Sequence, residues 1–494
     1  MNIAIIEILA LEGCRWIDHL YNLLITRQFT SIMPQVVAVW CRQLGHRVHY
    51  ASYYGFGDPI ELIPTDAEIV FFACYTQASP LAYALSKILR SRGVRTVLGG
   101  PHAKAFPSDA RRFFDCTVGE CDKDLVKSII AGDYPPGSVA SGNAISELPS
   151  VEERWPEIKT SSLFFGHRLP TTTIGLLSSL GCPYQCDFCI DWNSKYRMLP
   201  ADKLADDLRF IAAKMPKALL AFHDPNFAVR FDETMAVLER QQTPLPYMME
   251  SSLSVLKLER MEKLKKTNCV FVAPGIESWD AYSNKSGGTA GVGAAKVKRV
   301  AAHFHELHRS VATLQANFIF GLDTDAGALP VTLSKQFMDL VPLVWMTVNI
   351  PVPLGGTPLF NQLKSDDRIL RAMPFRFYYA PYATLKIRNY GPVDYYQKLI
   401  DLFEHSSSLA MLRRRAAARP TKTEKLVDAV RTLSTRAELA EYRRILGVMK
   451  TDRDVRKFHE GEDGELPAFY RREYARGLGR YASVLTDSDR CPVL

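Results

Sequence analysis

The chain has 494 residues, 47% hydrophobic and 23% charged, which excludes a disordered or fibrous protein and allows several domains of roughly 150 residues each. A net charge of +8, from 61 basic against 53 acidic residues, is too mild to demand nucleic acid, and Arg413, Arg414, Arg415 and Arg419 are expected on an exposed helix. The ten cysteines do not form a disulfide scaffold. The N-terminus lacks a basic leader and no apolar run approaches the ~18 residues of a membrane span, so a cytoplasmic protein is expected, with peripheral membrane contact left open.

The first third alternates apolar runs with amphipathic segments. Strands are expected at Asn2 to Leu9, Arg47 to Ala51, Glu68 to Cys74, Thr96 to Gly99 and Cys116 to Val118. Helices are expected at Pro34 to Leu44, Pro80 to Ser91 and Asp122 to Ile130, giving an α/β, doubly wound, Rossmann-like domain over 1–135. Such sheets bind ligands at the carboxyl ends of their strands. Residues 136–170, rich in Pro, Gly, Ser and charge, read as a linker.

A second series occupies 171–390, with strands at Thr172 to Ser178, Ala218 to Phe222, Tyr247 to Glu250, Cys269 to Ala273, Thr313 to Phe320 and Met346 to Pro351. Six βα repeats predict a partial TIM-type (β/α)6 barrel, whose chemistry would sit at the C-terminal mouth. Residues 391–494 read as a mainly helical, Arg-rich region that could serve as lid, recognition module or structural cap.

Cys182, Cys186 and Cys189 form a Cys-x3-Cys-x2-Cys triplet directly after the first barrel strand. Three thiolates can hold three corners of a 4Fe-4S cluster and leave one iron open to a bidentate ligand. The alternative, a zinc site, commonly pairs Cys-x2-Cys units, and only one is present. Gly287 to Gly293 resembles a phosphate cradle superficially, but no Lys-Ser or Lys-Thr follows it and a helix start is the simpler reading.

The triplet, with Phe188 before its last cysteine, resembles the signature of the radical S-adenosylmethionine (SAM) superfamily, and the likeness extends along strand ends to about residue 360. The resemblance implies reductive cleavage of SAM to a 5'-deoxyadenosyl radical. It also implies SAM contacts from Phe188, from Asp224 and Asn226 after the second barrel strand, from Glu277 and Ser278 in a Gly-x-Glu-Ser element, and from Gly321 after the fifth. His223 reads as a hydrogen-bonded loop histidine in preference to a direct participant. Pro351-Val352-Pro353-Leu354-Gly355-Gly356-Thr357-Pro358 is similar to the Pro-Gly-Thr-Pro turn after the sixth strand of cobalamin-linked members, with Gly355-Gly356 in place of a single glycine.

The N-terminal third resembles the cobalamin-binding domain fused to many such enzymes, through Tyr75, Thr76, Gln77 and Ser79, through Gly99, Gly100, Pro101 and His102, and through Gly119 and Glu120. These positions are the implied cobalamin contacts. The pattern Asp-x-His-x-x-Gly, which supplies a lower cobalt ligand elsewhere, is missing: Asp18-His19 lacks the spacing, and a sheet domain that has lost cobalamin is the alternative.

Both cofactors together imply a class B-like C-methyltransferase acting on an unactivated carbon of a small-molecule, lipid or peptide substrate, served by an external one-electron reductant. Two further readings stay open: cyclisation, rearrangement or oxidation without net methyl transfer, and a non-catalytic iron-sulfur redox or sensor protein. No acid or base is assigned.

Overall fold

The computed structural model describes residues 1–12, 16–145, 147–164, 166–169, 172–282 and 291–494. Cys14 and the Gly287–Ala290 part of the glycine-rich stretch lie outside them.

Six parallel strands form the first sheet: β1 (Asn2–Ala10), β2 (Arg47–Tyr54), β3 (Ile69–Cys74), β4 (Arg95–Gly99), β5 (Cys116–Val118) and β6 (Ser138–Ala140), in the order β2-β1-β3-β4-β5-β6. Side chains alternate across a strand, so β1 feeds two cores. Ile3 and Ile5 pack with Val36 and Trp40 of the helix Ile32–Gln43 and Val126 of the helix Lys123–Ala131. Ala4, Ile6 and Ile8 face the opposite layer, with Leu81 and Leu85 of the helix Ser79–Ser91. Covering both faces is what an all-parallel sheet requires.

The described residues of the segment read as a linker carry regular structure. It contributes β6 to the sheet and a helix, Trp155–Ser162, bound to the first domain. Glu157 pairs with Arg42, and Arg27 donates to the carbonyls of Ser161 at 2.9 Å, Thr160 at 3.3 Å and Leu163. The guanidinium thus meets the carbonyls that a helix C-terminus leaves without partners.

The second sheet is also parallel. Its strands are β7 (Thr173–Leu176), then, after the small hairpin β8 (Ser179–Leu180) and β9 (Arg197–Met198), β10 (Leu219–Phe222), β11 (Tyr247–Ser251), β12 (Cys269–Glu277), β13 (Thr313–Ile319) and β14 (Trp345–Asn349). The order β14-β13-β12-β11-β10-β7 puts each strand beside its predecessor, with no pairing between β7 and β14. This is the open, six-stranded barrel expected from the repeats. The hairpin clamps the base of the cysteine loop, 181–196.

Helices follow β14, including Pro392–Ser406, Leu409–Ala418 and the long Lys422–Thr451. Their tyrosines, Tyr395, Tyr396, Tyr442 and Tyr470, lie in the same apolar core as Leu81 and Phe72 of the first domain. The helical region therefore shares that domain's core. The basic run is exposed only in part: Arg413 and Arg414 face outward as expected, and the other two arginines do not. Arg415 and Arg419 are 2% and 7% exposed: Arg415 donates to the Pro342 carbonyl at 3.0 Å, and Arg419 pairs with Asp428 at 2.9 Å. Buried cations need such partners; Arg415 ties its helix to the barrel, and Arg419 ties the end of that helix to the next one and, through the Ala312 carbonyl at 3.3 Å, to the barrel. Among the described residues, no helix is long and apolar enough to cross a membrane.

Candidate functional site

The cysteine loop leaves the hairpin at Gly181, whose φ is +69° and whose added Cβ would stand 2.3 Å from the Lys195 carbonyl oxygen. Glycine alone permits that conformation and approach. The loop is then fastened along its length. Cys182 N–H donates to Ser194 O at 3.2 Å, and Cys189 N–H to Cys186 O at 3.0 Å. Trp192 Nε1 donates to Gly356 O at 2.9 Å, and Leu359 N–H to Asp187 O at 3.0 Å. Cys182 is buried, while Cys186 and Cys189 are half-buried. Three thiols on one eight-residue segment suit the separated irons of a cluster, and among the described residues no three His, Cys, Asp or Glu side chains converge as they would on a single metal ion.

Around this loop the barrel strand ends present the expected polar residues in different states. Asp224, 2% exposed, accepts from Ser178 N–H at 3.0 Å, Ser178 Oγ at 2.7 Å and Ser179 Oγ at 2.5 Å. Burial raises its pKa although these bonds oppose the shift. The carboxyl is committed to bracing the turn into the cysteine loop. Asn226 differs: it is 1% exposed, and neither its amide nitrogen nor its oxygen has a partner. A buried amide without hydrogen bonds is costly, and a polar ligand is the usual remedy.

Glu277 ends β12 in the left-handed region, φ +65°, and is 6% exposed. The next residue, Ser278, is held by Lys296, a fully buried lysine of the helix Gly293–His308 whose Nζ donates to Ser278 O at 2.7 Å and Asp280 O at 2.9 Å. Burial pushes this ammonium down to about 8, against the pull of Asp280 and Glu277. Phe188 stacks on Tyr282 with centroids 5.9 Å apart, and Tyr282 OH donates to Asp187 at 2.6 Å. The space opposite Gly321 is filled by Tyr395, whose ring carbon would lie 2.7 Å from an added Cβ, so packing within the protein accounts for this glycine.

Between the two sheets lies a cavity of about 420 Å³. Tyr75, Gly99, Gly100, Pro101, Gly119 and Glu120 line it at the strand ends of the first sheet. Ile5, Phe71, Val97 and Ile129, all buried, and the half-buried Val37 form apolar walls between that sheet and its helices. The barrel contributes Leu177, Leu180, Ile190, Asp191 and His223. Thr76, Gln77, Ser79 and His102 are not among the lining residues. Ser79 Oγ donates to Thr76 O at 2.9 Å, and His102, fully buried, meets Tyr83 OH at 2.5 Å and packs on Phe375 at 4.8 Å. Tyr83 OH also donates to Asp109 at 2.7 Å. Burial pushes the His102 imidazole down to about 3, so this histidine is a neutral core residue and not a contact of the cavity.

One participant is not among the residues singled out from the sequence. Glu7 lines the cavity from β1 and is 2% exposed; Ser31 N–H donates to it at 2.8 Å, and burial pushes its carboxyl up to about 7. Its lone charge in Ile-Ala-Ile-Ile-Glu-Ile-Leu-Ala was a readable signal. His223, which the sequence suggests as a loop histidine, also lines the cavity; burial pushes it down to about 4. Gly175 makes room for it, since a Cβ there would lie 3.4 Å from the imidazole.

The domains meet tightly at one further point. A Cβ on Gly355 would lie 2.0 Å from Ala105 O, while Gly356 takes a φ of +77°. The doubled glycine thus provides a close approach and then a left-handed turn.

Residues 176–325 match the profile of the radical SAM superfamily. The chain is 24% identical over 331 residues to bacteriochlorophyllide d C-12(1)-methyltransferase of Chlorobaculum tepidum, covering 63% of this chain and 69% of that one. It is 24% identical over 425 residues to hopanoid C-3 methylase of Methylococcus capsulatus, covering 77% and 78%. In structure it resembles TsrM from Kitasatospora setae, a radical S-adenosylmethionine methyltransferase solved with cobalamin and a [4Fe-4S] cluster bound. The TM-score is 0.51 at 13% identity, covering 74% of this chain and 78% of that one.

Proposed function

We propose that this radical SAM enzyme, a member of that superfamily through residues 176–325, is a cobalamin-dependent methyltransferase acting on an unactivated carbon of an organic substrate. One observation carries the reading. Ile190 and Asp191, directly after Cys189, form part of the wall of the cavity at the strand ends of the first sheet. A cluster loop and a second cofactor cavity are thereby built as neighbours.

Cys182, Cys186 and Cys189 would hold a 4Fe-4S cluster, which when bound supplies the electron that cleaves SAM. Asn226 offers SAM an amide donor and acceptor, and Glu277 offers a carboxylate at the barrel mouth. Asp224, through Ser178 and Ser179, and Lys296, through Ser278, position the strand ends that carry these contacts. Phe188 and Tyr282 close the loop side with an aromatic stack.

Cobalamin, when bound, supplies a methyl carrier. Tyr75, Gly99, Gly100, Pro101, Gly119 and Glu120 would hold it, with small residues admitting a broad cofactor and apolar walls behind them. The relatives named for methylation support methyl transfer over the rearrangement and oxidation readings. The enzyme also needs an external one-electron reductant, and the reading places it in the reducing cytoplasm. The test is an anaerobic assay of the cluster-loaded chain with and without cobalamin, following the fate of the SAM methyl group.

A further inference from the structure

Lys104 stands where the two sites meet. It belongs to the short helix Pro101–Ala105, which leaves β4 through Gly100 and is fixed at its far end by the contact between Ala105 and Gly355. Its Nζ lies 3.3 Å from Glu120 at the cavity rim, 3.0 Å from Asp191 and 3.5 Å from Ser194 in the cysteine loop. Against the lowering effect of burial, the Asp191 and Glu120 carboxylates hold the ammonium above its usual value.

Two sequence neighbours make this contact consequential. Asp191 is two residues past Cys189, and Ser194 O receives the N–H of Cys182. Lys104 therefore grips the loop at two points, one two residues past Cys189 and one whose carbonyl accepts the Cys182 N–H. The same loop gives Ile190 and Asp191 to the cavity wall. Partly exposed ion pairs contribute little to global stability, so geometry is what the contact supplies.

We propose that Lys104 is a positioning residue that couples the two cofactor sites: fixing the cysteine loop on its cluster completes the cavity wall through Lys104–Asp191, so that corrinoid binds more tightly to the cluster-bearing protein. The inference rests on the two-cofactor reading. It implies an order of loading, cluster before corrinoid, and reciprocity requires that corrinoid in turn retain the cluster.

The probe is hydroxocobalamin, titrated into cluster-free and cluster-reconstituted full-length chain, with the rate of cluster loss to a chelator as the reciprocal readout. Wild type should bind about 10-fold tighter with the cluster present, within the usual span of coupling between sites. Lys104→Met should bring that ratio close to one and remove the protection from chelation. Lys104→Arg should keep most of the ratio, because a cation still reaches Asp191. Asp191→Asn tests the same link from the loop, whatever Lys104→Met does to folding. An unchanged ratio in Lys104→Met and Asp191→Asn, or equal affinities in wild type, overturns the coupling while leaving the two-cofactor reading intact. Failure of both wild-type forms to bind hydroxocobalamin overturns both.

Discussion

Lys296 Nζ and the Ser278 carbonyl oxygen are 2.7 Å apart, which makes a lysine of the outer helix layer the support of a strand end inside the barrel mouth. Nζ also donates to Asp280 O at 2.9 Å, so the ammonium closes the turn that follows Glu277. Holding Glu277 at a positive φ needs such surroundings, because non-glycine residues are strained there. Lys296→Met should weaken SAM binding to the cluster-loaded chain by about 10-fold or more, the scale at which a misplaced contact acts. Equilibrium binding of SAM measures it, and an unchanged affinity contradicts the role.

Asn226 yields a prediction with two halves of opposite sign. Its amide is buried without hydrogen bonds in the protein, so Asn226→Leu should leave the ligand-free chain as stable as before, or stabilise it by ~1 kcal/mol. The same change should reduce SAM affinity. Thermal unfolding of the cluster-free chain and SAM titration of the loaded chain check the two halves, and a destabilised apo chain with unaltered SAM binding contradicts the reading.

Glu7 sets a pH dependence. Its folded carboxyl keeps the proton up to about 7, while the ordinary value is 4.5. Between these values the folded state holds the additional proton, so its contribution to stability falls as pH rises through the window and is constant above it. The groups facing it are Ser31 N–H and, at 3.5 Å, Tyr50 OH. Glu7→Gln removes the titration: the stability difference, wild type minus variant, should be larger at pH 5 than at pH 8. Denaturant unfolding at the two values measures this, and parallel profiles contradict it.

Gly355→Ala should disturb the seam between the domains, since its new Cβ meets backbone 2.0 Å away. A backbone shift of this kind costs about 1–3 kcal/mol. A lowered Tm together with weaker hydroxocobalamin binding is expected, and a Tm equal to wild type contradicts the placement of Gly355 against Ala105.

Much of the architecture is legible locally. Both parallel sheets follow from apolar runs at βα spacing, and β1, β10 and β13 lie within a few residues of their expected bounds because their periodicity is strong. The strand Ser138–Ala140 and the helix Trp155–Ser162 were not legible. Their segment has little periodicity, and its helix is fixed by Arg27 and Arg42, more than a hundred residues away in sequence. Tertiary partners also decide Arg415, Arg419 and His102, whose types suggest surface or ligand contact and whose partners bury them. The Lys104–Asp191 bridge spans 87 residues and two domains, with no local sign of it in either segment.

The cysteine loop and the neighbouring cavity make the central claim testable before any substrate is identified. The measurement is the pair of SAM-derived products formed anaerobically by the cluster-loaded chain with a one-electron reductant, with and without cobalamin. The account predicts 5'-deoxyadenosine, lost in Cys182→Ala, together with S-adenosylhomocysteine that forms only when cobalamin is supplied. Deoxyadenosine with no cobalamin-dependent S-adenosylhomocysteine would contradict methyl transfer, and the absence of both would contradict a radical SAM enzyme.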